Sequence, residues 1–413
     1  MRIGLLSYEY PPETGFGGIG TFTRTHGRAL AALGHEVVVL AGAVTPDALA
    51  VDESENPAVW RLGDPAELRF AARMLGALGW WWSRNRWQNS IRMRRLLRLA
   101  REKGAFDLLE FPDCGAEGLG LNPEDAPRSV VRFHSPAALI MPFYPTRAGD
   151  RRLCALLEAR SIGRAARGIS CSTFLLEELR GLRLGTSALE VRVVPNGIEC
   201  GEPASRAAGA FRARHGIPPS RPMILFTGRF EPRKGSELLL ELVPRLLSRH
   251  ELSFVVAGDD LFGIAERELL PRCSGSDAKG SLHLTGRLPI EEVREALADA
   301  DVVVLPSLWE SCPYAVLEAM VAGDTEGGAA IVASTAGGTP ELVRDHEEAL
   351  LVAPRDVDRF VAAVEELLET EALRRRLARA ARKRAIEQFS PQRTAESSLA
   401  VYRTLARAGT AAG

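Results

Sequence analysis

Residues 301–320 read Asp301-Val302-Val303-Val304-Leu305-Pro306-Ser307-Leu308-Trp309-Glu310-Ser311-Cys312-Pro313-Tyr314-Ala315-Val316-Leu317-Glu318-Ala319-Met320. The opening apolar run suits a strand buried on both faces of a parallel sheet. Proline at 313 fits the first turn of a helix, with Ser311 or Cys312 in the capping region. Strand, loop and helix in that order form the repeating unit of a doubly wound α/β domain. Glu310 then falls on the loop at the carboxyl edge of the sheet, where such domains hold ligands, and Glu318 lies on the helix. The amides of Tyr314, Ala315 and Val316 belong to a helix N-terminus, which favours an anion such as a phosphate. Carboxylates beside that anion suit a vicinal diol; the alternative is a dipole-stabilising acid and a solvated surface acid.

The same rhythm extends in both directions. Apolar runs at 2–7, 36–41, 107–111, 129–133, 168–171 and 191–194 alternate with amphipathic stretches, and so do runs at 222–227, 252–257, 281–284, 301–305, 329–333 and 348–352. This predicts two doubly wound domains with parallel sheets. Val194-Pro195-Asn196-Gly197 reads as a strand end and a turn, placing the domains at 1–196 and 197–390. Ser390-Pro391 opens one more helix, so 391–413 is a helix that could cross back to the first domain, followed by a Gly/Ala tail. A cleft between the domains is the expected ligand site.

Composition narrows the function classes. The 413 residues exceed one ordinary domain, and 46% hydrophobic with 25% charged residues excludes a disordered chain. With 52 basic against 53 acidic side chains, no overall field steers the protein toward nucleic acid, so an anionic partner must meet a local patch. Six scattered cysteines without a C-x-x-C pair suggest neither a zinc framework nor a redox dithiol. No apolar stretch approaches the ~20 residues needed to span a bilayer, and Met1–Ser7 runs into polar residues, so a cytoplasmic location is expected.

Other loops share the sheet edge. Thr227-Gly228-Arg229-Phe230-Glu231-Pro232-Arg233-Lys234-Gly235 follows an apolar strand, and Arg229 with Lys234 matches a diphosphate. Each charge pair at ~4 Å attracts by about 4 kcal/mol at an effective dielectric near 20. As mere surface ion pairs they would contribute under ~1 kcal/mol. Gly15-Phe16-Gly17-Gly18-Ile19-Gly20 lets backbone approach a phosphate, but its spacing disfavours a dinucleotide fingerprint. Glu9, Glu110 and Asp113 are candidates to meet substrate hydroxyls, and Glu110 and Asp113 could equally cap the next helix. His134 ends another strand, as a site residue or a structural histidine. Between Arg69 and Lys103 a basic stretch carries Trp80, Trp81, Trp82 and Trp87, fit for a peripheral contact with a membrane's inner face, for sugar stacking, or for a packed arginine face.

These motifs together resemble the retaining glycosyltransferases of family 4 with the GT-B architecture. The resemblance rests on the Glu-x7-Glu pair Glu310 and Glu318, the Gly228-Arg229 and Lys234-Gly235 element, the Gly17-Gly18 loop, VVPNGIE at 193–199 and IVASTAGGTPELV at 331–343. It implies a nucleotide-sugar donor on the second domain, a hydroxyl acceptor on the first, and no metal or other cofactor. Arg229 and Lys234 would neutralise the leaving diphosphate, Glu318 would bind ribose, and Glu310 would contact the donor sugar beside the Tyr314 and Ala315 amides. Arg287 and Leu288 would touch the base, Gly17 and Gly18 a phosphate, and His134 the sugar or the acceptor. Alternatives are a nucleotide-sugar epimerase on the same scaffold and a two-lobed solute-binding protein. Ser311-Cys312-Pro313-Tyr314 departs from the family's usual glycine-phenylalanine-glycine run, and residues 323–328 form an insertion.

Overall fold

The computed structural model describes residues 1–410 apart from 16, 55, 65–68, 183–188, 201–208, 275–279 and 323–327. The insertion at 323–328 therefore lies almost wholly outside the described residues. The chain divides into two compact units, Met1–Gly197 with Pro391–Gly413, and Ile198–Ser390.

In the first unit the strands are β1 (Arg2–Ser7), β2 (Glu36–Gly42), β3 (Leu49–Asp52), β4 (Ala58–Leu62), β5 (Leu108–Pro112), β6 (Ser129–Phe133), β7 (Arg167–Ser170) and β8 (Val191–Val193). They form one sheet in the order β3-β4-β2-β1-β5-β6-β7-β8. The β3/β4 pair is antiparallel, and the other pairings are parallel. Neither strand is among the expected runs; β3 is exposed at all four residues and offers no apolar alternation.

The second unit holds β9 (Met223–Thr227), β10 (Ser253–Ala257), β11 (Ser281–Gly286), β12 (Val302–Leu305), β13 (Ala330–Ser334) and β14 (Leu350–Val352), ordered β11-β10-β9-β12-β13-β14 and parallel throughout. Both units are thus doubly wound α/β domains. Chain order reverses direction beside β1 in one and beside β9 in the other, so crevices open at the carboxyl ends of β1 and β5, and of β9 and β12. Val302, Val303 and Val304 are fully buried, and each such side chain contributes on the order of 1.5–3 kcal/mol.

The helix Pro391–Thr410 belongs to the first unit, where Ala395, Leu399, Tyr402 and Leu405 pack against Ile3, Val37 and Leu108. The unit also holds α1 (Gly18–Ala32), α2 (Arg69–Ala77) and α3 (Trp81–Arg101), of which α1 and α3 line its crevice. The start of α3 is capped from outside its own sequence. Asp150 accepts from the amides of Trp82 and Ser83 at 3.2 and 2.9 Å and from the Ser83 hydroxyl at 2.6 Å. Among the described residues no helix is long and apolar enough to cross a membrane.

Candidate functional site

In the second unit, β9 and β12 deliver two loops to one place. Gly235 ends the short 3-10 turn Pro232–Lys234 at φ +85°, and a Cβ there would stand 2.2 Å from the Pro306 carbonyl oxygen. Glycine is therefore what lets the Lys234 loop close onto the Pro306 loop. Gly337 does the same for the segment after β13: its φ is +65°, and a Cβ would meet the Glu310 carbonyl at 1.9 Å. Gly338 also donates its amide to that carbonyl at 2.9 Å.

Held this way, Glu310 is 7% exposed and fully engaged. Lys234 Nζ lies 2.5 Å from Oε1, the Ser307 hydroxyl donates to the same oxygen at 3.0 Å, and Arg233 donates to Oε2 at 3.3 Å. Burial opposes ionisation, but Lys234 and Arg233 outweigh it and bring the Glu310 pKa down to about 2. Glu231, wholly buried, bridges Arg229 at 3.2 Å and Arg233 at 3.3 Å. The cluster carries three cations and two carboxylates, a local excess of one positive charge. Lys234, Ser307, Glu310, Ala315 and Thr339 line a crevice of about 10 Å³, room for about one water molecule.

The other expected donor residues spread more widely. The helix Tyr314–Val321 starts with Pro313 as its cap rather than inside its first turn. Ala315 reaches the crevice, whereas the Val316 amide is spent on the Pro313 carbonyl at 3.1 Å. Glu318 is half-buried, and burial raises its pKa to about 7 against the pull of Arg294 and Lys234. Exposed Arg287 and half-buried Leu288 follow β11, the edge strand. Arg233, Glu231, Ser307 and Thr339 were not singled out by the sequence reading. Arg233 had a signal, as the residue between two glycine-bounded cations.

The first unit builds a different crevice at the carboxyl ends of β1 and β5, with a cavity of about 210 Å³. Glu9, Asp64, Arg86, Gln88, Asn89, Arg92 and Glu117 line it, and of the expected acceptor-side residues only Glu9 is among them. Gly17 caps α1, and a Cβ on it would stand 3.0 Å from a Glu9 carboxylate oxygen. Gly18 is the first residue of that helix and is exposed.

Glu110, Asp113 and His134 face inward. Arg132 grips Glu110 with two bonds of 2.8 and 3.0 Å, and Tyr402 donates its hydroxyl to the same carboxylate at 2.6 Å. Arg132 also donates to Ser398 at 2.8 Å, and His26 lies 3.0 Å from the Tyr402 hydroxyl. This carboxylate thus ties the final helix to β5 and β6. Losing one partner of such a buried pair costs about 3–5 kcal/mol. Asp113 is fully buried and accepts the His134 amide at 2.9 Å, fixing the loop after β6. His134 is 6% exposed and packs edge-on against Phe22. Burial, with Arg132 adding to it, lowers its pKa to about 3, so the ring is neutral at physiological pH.

The basic tryptophan segment turns Arg86 and Arg92 inward and leaves Arg73, Arg94, Arg98 and Lys103 exposed. Arg86 pairs with buried Glu158 at 2.9 Å and covers the Trp82 ring, Arg92 pairs with Asp64, and Trp80 lies against Gly149. Trp81 is 56% exposed.

Comparison with known proteins matches the two halves of the chain to separate family models. Residues 16–202 match the family model described as Glycosyltransferase Family 4, and residues 208–384 the one described as Glycosyl transferases group 1. The chain is 30% identical to an MMP alpha-(1->4)-mannosyltransferase of Mycolicibacterium hassiacum, across 97% of this chain and 98% of that protein. Its fold is similar to that of sucrose-phosphate synthase from Thermosynechococcus elongatus, with a TM-score of 0.74 at 20% identity over 98% and 99% of the two chains. It is also similar to Anabaena Alr3699/HepE in complex with UDP-glucose, with a TM-score of 0.68 at 16% identity over 98% and 100%.

Proposed function

Because the chain belongs to the GT-B glycosyltransferases, we propose that it moves a hexose from a nucleoside diphosphate sugar to a hydroxyl acceptor, with retention of anomeric configuration. The observation that carries this reading is the Arg229, Arg233 and Lys234 cluster, with its excess positive charge, at the carboxyl ends of β9 and β12. The hard step is departure of the diphosphate, and fixed cations placed where that negative charge develops lower its barrier most. No metal enters the proposal.

In the proposed step the bond from the anomeric carbon to the diphosphate oxygen breaks, and its electron pair leaves with the diphosphate. The acceptor oxygen bonds to the same face of that carbon, and its proton passes to a β-phosphate oxygen. Glu310 is assigned to positioning, since its carboxylate is already held by Lys234, Arg233 and Ser307. Glu318 is assigned to the ribose hydroxyls, Ala315 and Tyr314 to the donor side, and Arg287 with Leu288 to the base. The relation to a protein that binds UDP-glucose makes a uridine donor the first to try. Neither the epimerase nor the solute-binding alternative is favoured. The reaction is proposed to run in the cytoplasm.

A thermal-shift screen with UDP-, GDP-, ADP- and dTDP-sugars tests the donor side, because a ligand that binds only the folded state raises its melting temperature. One nucleotide sugar should raise it, and adding an acceptor should release free nucleoside diphosphate. A flat response across all four would refute the assignment.

A further inference from the structure

The 210 Å³ cavity of the first unit has a chemistry that the donor side lacks. One wall comes from the loops after β1 and β5, through Tyr8, Glu9, Cys114 and Glu117. The other comes from α3, where the spacing of Asn85, Gln88, Asn89 and Arg92 puts four polar side chains along one stripe. We infer that this cavity is the acceptor subsite and that it takes a neutral polyhydroxylated molecule, a saccharide, rather than a phosphorylated sugar or a lipid. The inference rests on the transferase reading and names its acceptor class.

Two buried polar atoms point to a ligand there. Arg92 Nε and Glu117 Oε2 have no hydrogen-bond partner, although both residues are only 2% exposed. A buried polar group left unmatched is costly, and a small turn of either lining side chain toward the cavity would let ligand hydroxyls, which donate as well as accept, satisfy it.

The charges then select among ligands. Arg92 is paired with Asp64 and stacked on the Tyr8 ring, and Arg86 is paired with Glu158, so both guanidinium charges in the lining are already balanced. Burial raises the Glu117 pKa to about 8, so at neutral pH this side chain is an O–H donor. Glu9 adds a carboxylate, seated against the start of α1, where an anionic ligand would otherwise bind. A phosphate would find its natural partners taken and a carboxylate beside it. An acyl chain would find little more than Ile19 and Pro112 to cover, and would strand the amides and carboxylates around it.

Saturation-transfer NMR on the full-length protein tests this, with methyl α-D-glucopyranoside and methyl α-D-mannopyranoside against glucose 6-phosphate and mannose 6-phosphate, and UDP in every sample. At least one neutral glycoside should receive saturation, and neither phosphate should compete with it. Asn85→Ala, at an exposed position, should weaken glycoside binding about fivefold, the loss expected for one neutral hydrogen bond. Glu117→Gln, which keeps an uncharged donor and acceptor, should retain it at pH 7. Preferential binding of the phosphates, no transfer to either glycoside, or an unchanged signal in Asn85→Ala would overturn the inference. The nucleotide signal separates the two readings. If UDP binds while the glycosides do not, only the acceptor class fails; if UDP, GDP, ADP and dTDP are all silent as well, the transferase proposal fails with it.

Discussion

The two units place their crevices at the same position of the same fold, yet fill them with opposite chemistry. Beside β9 and β12 the space is about 10 Å³ and crowded by cations that hold a carboxylate ionised. Beside β1 and β5 it is about 210 Å³, its two guanidinium groups are paired, and one lining carboxyl, Glu117, is driven toward neutrality by burial. A doubly wound sheet thus fixes where a ligand sits but not what it is. The loops decide that, by whether a buried acid meets a cation or only low-dielectric surroundings.

The contrast is broken most directly at Lys234. Lys234→Ala should lower kcat by about 10²–10³-fold, the usual cost of removing one group that stabilises developing charge, while circular dichroism stays native. A near-normal kcat in a UDP-release assay would remove Lys234 from the leaving-group role.

Titration should separate the units by sign. The folded pKa of Glu310 is depressed from 4.5 to about 2, so its contribution is present above pH 4.5 and lost as pH falls toward 2. The shift corresponds to about 3 kcal/mol. Urea unfolding at pH 5 and pH 3 should show a drop in stability that is smaller in Glu310→Gln than in the parent. Equal drops would mean that Glu310 is not held ionised.

Glu117 should behave in reverse. Its folded pKa is raised from 4.5 to about 8, so the folded state is favoured below 4.5 and loses stability progressively as pH rises through 8. Glu117→Gln should therefore raise the urea midpoint more at pH 9 than at pH 6. A pH-independent gain would show that the carboxyl is not kept protonated by burial.

Much of this was legible before the fold was known. The alternation of apolar runs located twelve of the fourteen strands among the described residues, and Glu310, Lys234 and Ala315 were read as residents of one sheet edge from their place after a strand. The buried polar start of α3 could also have been read. Ser83, Arg86 and Asn89 continue the helical spacing of buried Met93, Leu96 and Ala100, a core-facing row that begins polar. Glu110 shows where such reading stops. Its position after β5 suited a ligand, but its partners Arg132 and Tyr402 lie 22 and 292 residues away.

The sequence by itself determined the strand and helix units, the glycines at tight approaches and the presence of an anion-suited loop, because each depends on residues within a few positions of one another. Tertiary structure alone decided which charges are matched, which acids remain neutral and which histidine is sealed in the core. Those outcomes follow from desolvation and from partners brought together by packing, and neither is recorded in local spacing.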